Sequence, residues 1–572
     1  MLNILSRRVV ICLLVAVLLV TIAERYPLVE HERYQADSYY IHMLSGSIVE
    51  RGYAAWTFTP LSYFGYYPLS YPSGAPFLVG EFSELAGTSV ELSILLIGML
   101  VGMLLVIATF CLAREFLRRT QYALVAALCA SLAPRFVDTT YWVGSARGLF
   151  VVFLVLFIFL AFRANSTKRT SLNLIAGLML FGCLATHHMA LLLIMFGIAF
   201  ILSVLGSQHL RLINETSRRR RVTQFYISIG VFVAIGTALF VGLLGGSGES
   251  TFGESGVLTF EPRIVSTILS LCITYTHQIG LILPFAVVGI IMAFRATHLQ
   301  PRVLFPLALL VSMSPLFGNP VYVATVLPPV VAVFGASWLE SLKKSDRRQA
   351  IRFFLALILV CFTISLPWVS IARWNNVQYI GGDTVAVGDQ VFNDGAYLMY
   401  NDAGQPFVSN VDVQTLRLEA ISGANHLGPG VPSVLNGDVT ANQVRSNVTR
   451  STFGFPQNLY IWYEYRQDSL IESAVGRLMM NGVSVAYNAE IGGTFASEYY
   501  ARHSRLVVIV DNNWESSYVL QWGFRPSILT NQLLTASWQE RISGGFREHS
   551  LDSYLIYCSG GVSYFYLGLP VA

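Results

Sequence analysis

Arg7-Arg8 stands directly before Val9-Val10-Ile11-Cys12-Leu13-Leu14-Val15-Ala16-Val17-Leu18-Leu19-Val20-Thr21-Ile22-Ala23, and this stretch decides what kind of chain follows. Fifteen residues run without a charge behind a basic pair. The next residues, Ala23-Glu24-Arg25-Tyr26-Pro27, lack the small-residue pattern at which a secretory leader is cut, so the segment reads as a retained membrane anchor. The rest of the chain agrees. Of 572 residues, 54% are hydrophobic and only 12% charged, against roughly 25% charged in a typical soluble domain. The mean hydropathy is positive.

Further apolar segments are expected to span at 90–113, 120–133, 148–162, 171–187, 189–206, 223–244, 277–294, 303–316, 321–339 and 351–371. Several are shorter than the roughly 20 residues of a straight span. With the anchor they make about eleven. Residues 72–86 and 263–276 are also apolar and are expected to be re-entrant or interfacial. The basic groups Arg7/Arg8, Arg114/Arg118/Arg119, Arg163/Lys168/Arg169, Arg211 with Arg218–Arg221, Arg295/Arg302 and Lys343/Lys344/Arg347/Arg348/Arg352 fall in alternate loops. Basic loops stay cytoplasmic. That puts the N-terminus inside, and it puts loop 24–89, the glycine-rich loop 245–262 and everything after Ile371 outside.

Composition changes near Arg373. Residues 1–372 hold 26 of the 37 Lys and Arg and 16 of the 33 Asp and Glu; the last 200 residues hold 11 and 17. The expected domains are therefore a membrane domain, 1–372, and a soluble extracytoplasmic α+β domain, 373–572. Helices are expected at Asp394–Tyr400, Asp412–Ile421 and Ser469–Met480, and strands at Leu459–Tyr465, Val483–Tyr487 and Leu506–Val510. A hairpin of Ser553–Ser559 with Val562–Leu567 is expected over Gly560-Gly561. One cysteine, Cys558, falls in this domain, so no disulfide closes within it. No basic patch suggests nucleic acid, and no acid at the centre of a span suggests an ion-coupled transporter.

The polar residues that stand out are on the outer side. Asp37 follows the anchor within Gln35-Ala36-Asp37-Ser38-Tyr39-Tyr40. It is read as a general base, as a ligand for a divalent metal such as Mg or Mn, or as an N-cap of the helical run behind it. His42, His187, His188 and Asp138 are candidates for proton shuttling or metal binding, with solvated loop groups and an interfacial belt as the plainer readings. Arg135, Arg147 and Arg263 run against the positive-inside bias; a phosphate suits their forked guanidinium, and a loop acid does so equally. Trp56, Tyr66, Tyr67 and Tyr71 belong to a dense aromatic run that suits sugar stacking or a membrane interface.

Asp37-Ser38-Tyr39-Tyr40 with Ser47-Ile48-Val49-Glu50-Arg51-Gly52, then Tyr67-Pro68-Leu69-Ser70-Tyr71-Pro72-Ser73-Gly74, then Leu132-Ala133-Pro134-Arg135-Phe136, together resemble the GT-C superfamily of membrane glycosyltransferases. The resemblance is to oligosaccharyltransferase catalytic subunits and protein O-mannosyltransferases. It implies a GT-C-like polytopic helical fold and a polyprenyl-phosphate sugar donor. The acceptor would be a glycan, lipid or protein reached among the membrane lipids. The Trp-Trp-Asp signature of oligosaccharyltransferases is absent, and no acid follows Thr140 before Arg147. Alternatives are protein N-glycosylation proper and a non-catalytic scaffold that binds envelope components.

Overall fold

In the computed structural model the described residues are 7–27, 31–32, 36–54, 57–58, 66–67, 71–117, 119–211, 271–294, 301–313, 316, 320–341, 355–356, 358–367 and 389–401, with strands and one helical fragment between 407 and 568. The expected span 223–244, the loop 245–262, Arg263 and Trp56 lie outside them. The chain divides into two compact units. One is Met1–Tyr26, Gly98–Tyr141 and Ala146–Ile371; the other is Pro27–Ile97, Trp142–Ser145 and Ala372–Ala572.

The helices in chain order are α1 (Arg7–Ala23), α2 (Ala36–Arg51), α3 (Gly74–Ala86), α4 (Val90–Phe116), α5 (Thr120–Ser131), α6 (Pro134–Asp138), α7 (Ala146–Thr167), α8 (Thr170–Thr186) and α9 (Leu193–Arg211). They continue with α10 (Leu271–Ile279), α11 (Ile282–Phe294), α12 (Pro301–Met313), α13 (Pro320–Val326), α14 (Pro328–Ser341), α15 (Ile358–Pro367) and α16 (Asp389–Asn401). Among the described residues, three helical stretches are long and apolar enough to cross a membrane: Val90–Phe116, Ala146–Thr167 and His188–Ser207. The pair α10–α11 makes a fourth if it counts as one span. Shorter apolar helices lie at Arg8–Ala23, Thr120–Ser131, Thr170–Thr186 and Ile358–Pro367.

Two expected spans are broken. Residues 277–294 hold a 109° bend between α10 and α11. Its pivot is Gly280 at φ +96°, a conformation that a side chain disfavours. Residues 321–339 divide at Leu327 before Pro328-Pro329, because the residue before a proline avoids the helical region. Residues 72–86 hold α3, which ends on the left-handed Gly87 (φ +63°).

Helices meet at glycines, as in membrane proteins that pack by close approach. α11 lies on α14, where Gly289 faces the Phe334 carbonyl and Gly335 faces Ile282, leaving no room for a Cβ. Phe162 on α7 makes edge-to-face contacts with Phe116, Phe200 and Phe305, at 5.1–5.2 Å between centroids. One residue ties the end of α1 to this unit. Arg25 is fully buried and donates from Nε to Thr140 Oγ1 (2.8 Å), from one Nη to the Thr21 carbonyl (3.1 Å) and from the other to the Ser131 carbonyl (2.9 Å). Its guanidinium carbon lies 5.4 Å from the centre of the Phe136 ring.

In the second unit, β1 (Thr57–Phe58) pairs antiparallel with β2 (Tyr66–Tyr67). One four-stranded sheet has the order β3-β8-β10-β9, from β3 (Phe407–Ser409), β8 (Arg505–Asp511), β10 (Val562–Gly568) and β9 (Asp552–Ser559); β3 runs parallel to β8 and the rest are antiparallel. The other is an antiparallel meander of β4 (Asn447–Phe453), β5 (Leu459–Glu464), β6 (Val475–Met480) and β7 (Val483–Asn488). The expected helix over Ser469–Met480 is corrected here: its second half is β6. Met480 pairs with Val483 across Asn481-Gly482, the two-residue sequence most favoured for a hairpin, and that pairing overrides the helix-forming Leu478, Met479 and Met480.

A Cβ on Gly102 would sit 2.7 Å from Arg25 Nε, and three hydrogen bonds prevent the guanidinium from yielding. Arg25→Met leaves buried carbonyls unmatched at about 1–3 kcal/mol each. Both Arg25→Met and Gly102→Val are therefore expected to lower the melting temperature in detergent. The double variant is expected to lose less than the sum, because the two act on one contact.

Candidate functional site

The placement of the candidate residues turns on α2. Its buried residues Ile41, Leu44, Ser45 and Ile48 form a helical stripe, and it packs on α3, where Gly80 comes close to the Ser45 carbonyl. Asp37 lies within α2 (Ala36–Arg51).

The start of α2 is pinned from two sides. On one, the Gly144 amide donates to Ser38 Oγ at 2.6 Å. A Cβ on Gly144 would lie 3.0 Å from the Ser38 carbonyl and 3.2 Å from Ile41 Cβ, so a side chain there would press on α2. Two residues earlier, Trp142 holds φ +46°, a backbone state that costs a bulky residue about 1–3 kcal/mol. Its indole donates to the Glu91 carbonyl at 3.1 Å.

On the other side, Glu91 in the first turn of α4 accepts the Glu32 amide at 2.9 Å and faces His31 Nδ1 at 3.2 Å. Glu32, only 2% exposed, pairs in turn with His42 Nδ1 of α2 at 3.1 Å. Burial pushes the Glu32 carboxyl up from its ordinary value, and His42 only partly offsets this. Burial, the largest single influence, would lower the His42 imidazole; the Glu32 charge, its hydrogen bond and the Glu91 charge together outweigh it and hold His42 above its ordinary value.

The remaining candidates are placed as follows. Arg135 pairs with Asp138 at 2.9 Å, one turn along α6. Arg147 is half-buried in the first turn of α7. His187 accepts the Met189 amide on Nδ1 at 2.9 Å and caps the short 3-10 turn His188–Leu192. Its proton therefore sits on Nε2. The His187 and His188 rings stack with centroids 4.0 Å apart, and His188 meets the edge of Tyr322. Tyr66 and Tyr67 form β2, and Tyr71 is buried. The structure thus brings together His42 with Glu32, Arg135 with Asp138, and His187 with His188. Among the described residues no three His, Cys, Asp or Glu side chains group to hold a metal ion.

Sequence reasoning passed over Glu91, Trp142, Ser38 and Gly144. The one local signal was Glu91 behind Ser89, an acid in the opening turn of an apolar helix.

Apolar helices, three of them long enough to cross a membrane among the described residues, with strands further along the chain, define a membrane protein. Residues 9–370 match the family model described as oligosaccharyl transferase STT3, N-terminal, and the chain belongs to that family, within the GT-C superfamily of membrane glycosyltransferases. The fold is that of the Archaeoglobus fulgidus oligosaccharyltransferase. Its apo crystal structure aligns over 98% of this chain and 89% of its own, at 13% identity and a TM-score of 0.54. The oligosaccharyltransferase AglB from the same archaeon, in complex with an inhibitory peptide and a dolichol-phosphate, aligns over 98% of this chain and 74% of its own, at 12% identity and 0.52. The enzyme of the apo structure in complex with Zn and sulfate aligns over 97% and 88%, at 12% and 0.53. No curated protein sequence matches the chain.

Ser38→Ala leaves the buried Gly144 amide without its acceptor, which is expected to cost about 1–3 kcal/mol. Thermal unfolding in detergent reads the loss, and Ser38→Thr, which keeps the hydroxyl, is expected to restore most of it.

Proposed function

We propose that the chain is a membrane glycosyltransferase that moves a sugar from a polyprenyl-phosphate-linked donor to an extracytoplasmic glycan, lipid or protein acceptor. The observation that carries this reading is the family match across residues 9–370; the dolichol-phosphate bound by the A. fulgidus relative supports the donor class. The reading takes eleven spans with a cytoplasmic N-terminus, a domain boundary near residue 372 and the last 200 residues outside. The alternation of basic loops supports that topology.

Asp37 is the reacting carboxylate. It takes the acceptor's proton as the acceptor attacks the anomeric carbon, and inversion follows from the resemblance to GT-C enzymes. Arg147 steadies the departing phosphate, with Arg135 or Arg263 as second cation. The aromatic run and the C-terminal domain receive the acceptor. A divalent ion would depend on Asp37, since Asp138 is taken by Arg135 and Glu32 by His42. Such an ion would neutralise the leaving phosphate.

A second reading, transfer to asparagine in an Asn-x-Ser/Thr peptide, is favoured by the family itself and by the peptide complex of the archaeal relative. Consumption of such a peptide with a polyprenyl-linked donor distinguishes the two.

Asp37→Asn is expected to lower transfer by at least about 100-fold without lowering membrane yield. Full activity in this variant would remove Asp37 from the assignment. Activity lost on chelation and restored by Mg or Mn would mark Asp37 as a metal ligand rather than a base.

A further inference from the structure

We propose that Glu32 and His42 are a positioning pair for the Asp37 helix, and that transfer requires His42 to carry its proton. This rests on the reading of Asp37 as the reacting carboxylate.

The geometry separates two kinds of restraint on α2. The contact of Ser38 with Gly144, continued by Trp142 to the Glu91 carbonyl, contains no group that titrates. The other restraint is built from titratable groups alone. Glu91 comes from α4, His31 and Glu32 from the segment before α2, and His42 from α2 itself. Two carboxylates and two imidazoles thus face one another in a largely buried space, their side chains 3–15% exposed.

With His42 protonated, the Glu32 carboxylate has a cation 3.1 Å away. With His42 neutral, a carboxylate at 3% exposure loses that cation and still faces Glu91. A buried charge without a partner is not sustained. Either it takes up a proton or the segment opens to water, and opening releases the end of α2. His42 and Asp37 share this rigid helix, five residues apart, so movement of one carries the other. A misplacement of about 1 Å in a reacting group costs on the order of 100-fold in rate. A lysine at position 42 would supply a permanent cation; histidine makes the restraint respond near neutral pH.

The direction follows from the folded state holding the extra protons. Both groups are raised in the fold, Glu32 from 4.5 and His42 from 6.5. The stabilisation is fully present below the unfolded values and is lost as pH rises through the raised His42 value.

The test uses the full-length protein in detergent with a polyprenyl-phosphate sugar. kcat and KM are measured from about pH 5.5 to about pH 9, spanning the histidine range, and hydrogen exchange over α2 is followed in the same samples. The parent is expected to lose kcat on the alkaline side with donor KM unchanged, as α2 exchange quickens. His42→Lys is expected to keep both kcat and protection at alkaline pH. His42→Asn is expected to lower kcat by about 10–100-fold with no alkaline limb. Glu32→Gln, which leaves no buried carboxylate to lose its cation, is expected to remove the alkaline limb.

An alkaline limb identical in the parent and His42→Lys, or α2 exchange that ignores pH, overturns the proposal. If His42→Asn and Glu32→Gln fail to fold, His42→Lys alone decides. If the parent transfers no sugar at any pH, the proposed function falls, while α2 exchange in the parent against His42→Lys still decides the pair.

Discussion

A fully buried guanidinium is the constraint on which the membrane unit depends. Arg25 sits just past the first apolar helix, whose last carbonyls need partners. It answers the Thr21 carbonyl on its own helix and the Ser131 carbonyl at the end of α5, and takes Thr140 beyond α6. The rest of that corner is arranged to admit it: Gly102 leaves the space, Phe136 offers a ring face, and Thr140 passes its own proton to the Phe136 carbonyl. A cation in such a place is tolerated only when each donor is matched, so the ends of α1 and α5 and the turn after α6 are fixed together.

The second unit solves a related problem with strain and charge. The short segment Trp142–Ser145 reaches α4 through a tryptophan held at positive φ and α2 through a glycine set close against it. The indole bond to the Glu91 carbonyl and the amide bond to Ser38 offset the strain. Beside them a buried Glu-His pair closes the start of α2. The helix that carries Asp37 is thus held by one restraint without titratable groups and one built around a buried Glu-His pair.

Much of the architecture was legible because it is written locally. Apolar runs announced α4, α7 and α9, and Gly560-Gly561 between alternating strands announced the β9–β10 hairpin. The breaks were harder to see. The run is apolar from Ile279 to Phe294, and the bend falls at Gly280, whose conformation the sequence does not announce. In Val475–Met480 the residues suit a helix as well as a strand, and the pairing with β5 and β7 settled it. At the site, the position of Asp37 behind the first span singled it out. His42 looked like one of several solvated loop groups, although Glu32, ten residues before it, is almost wholly buried and pairs with it.

By itself the sequence determined that this is a membrane protein of many apolar helices, where its basic loops fall, and which carboxylate stands first among its candidates. These follow from properties carried within a few residues: hydropathy over a helix length and the sign of charge in a loop. Tertiary structure decided which polar groups are buried together. Arg25 meets Ser131 and Thr140 more than a hundred residues away, Glu91 meets Glu32 across 59, and Gly144 meets Ser38 across 106. Whether a charge is solvated, paired or held against its ordinary titration depends on what covers it, and the covering residues come from distant parts of the chain.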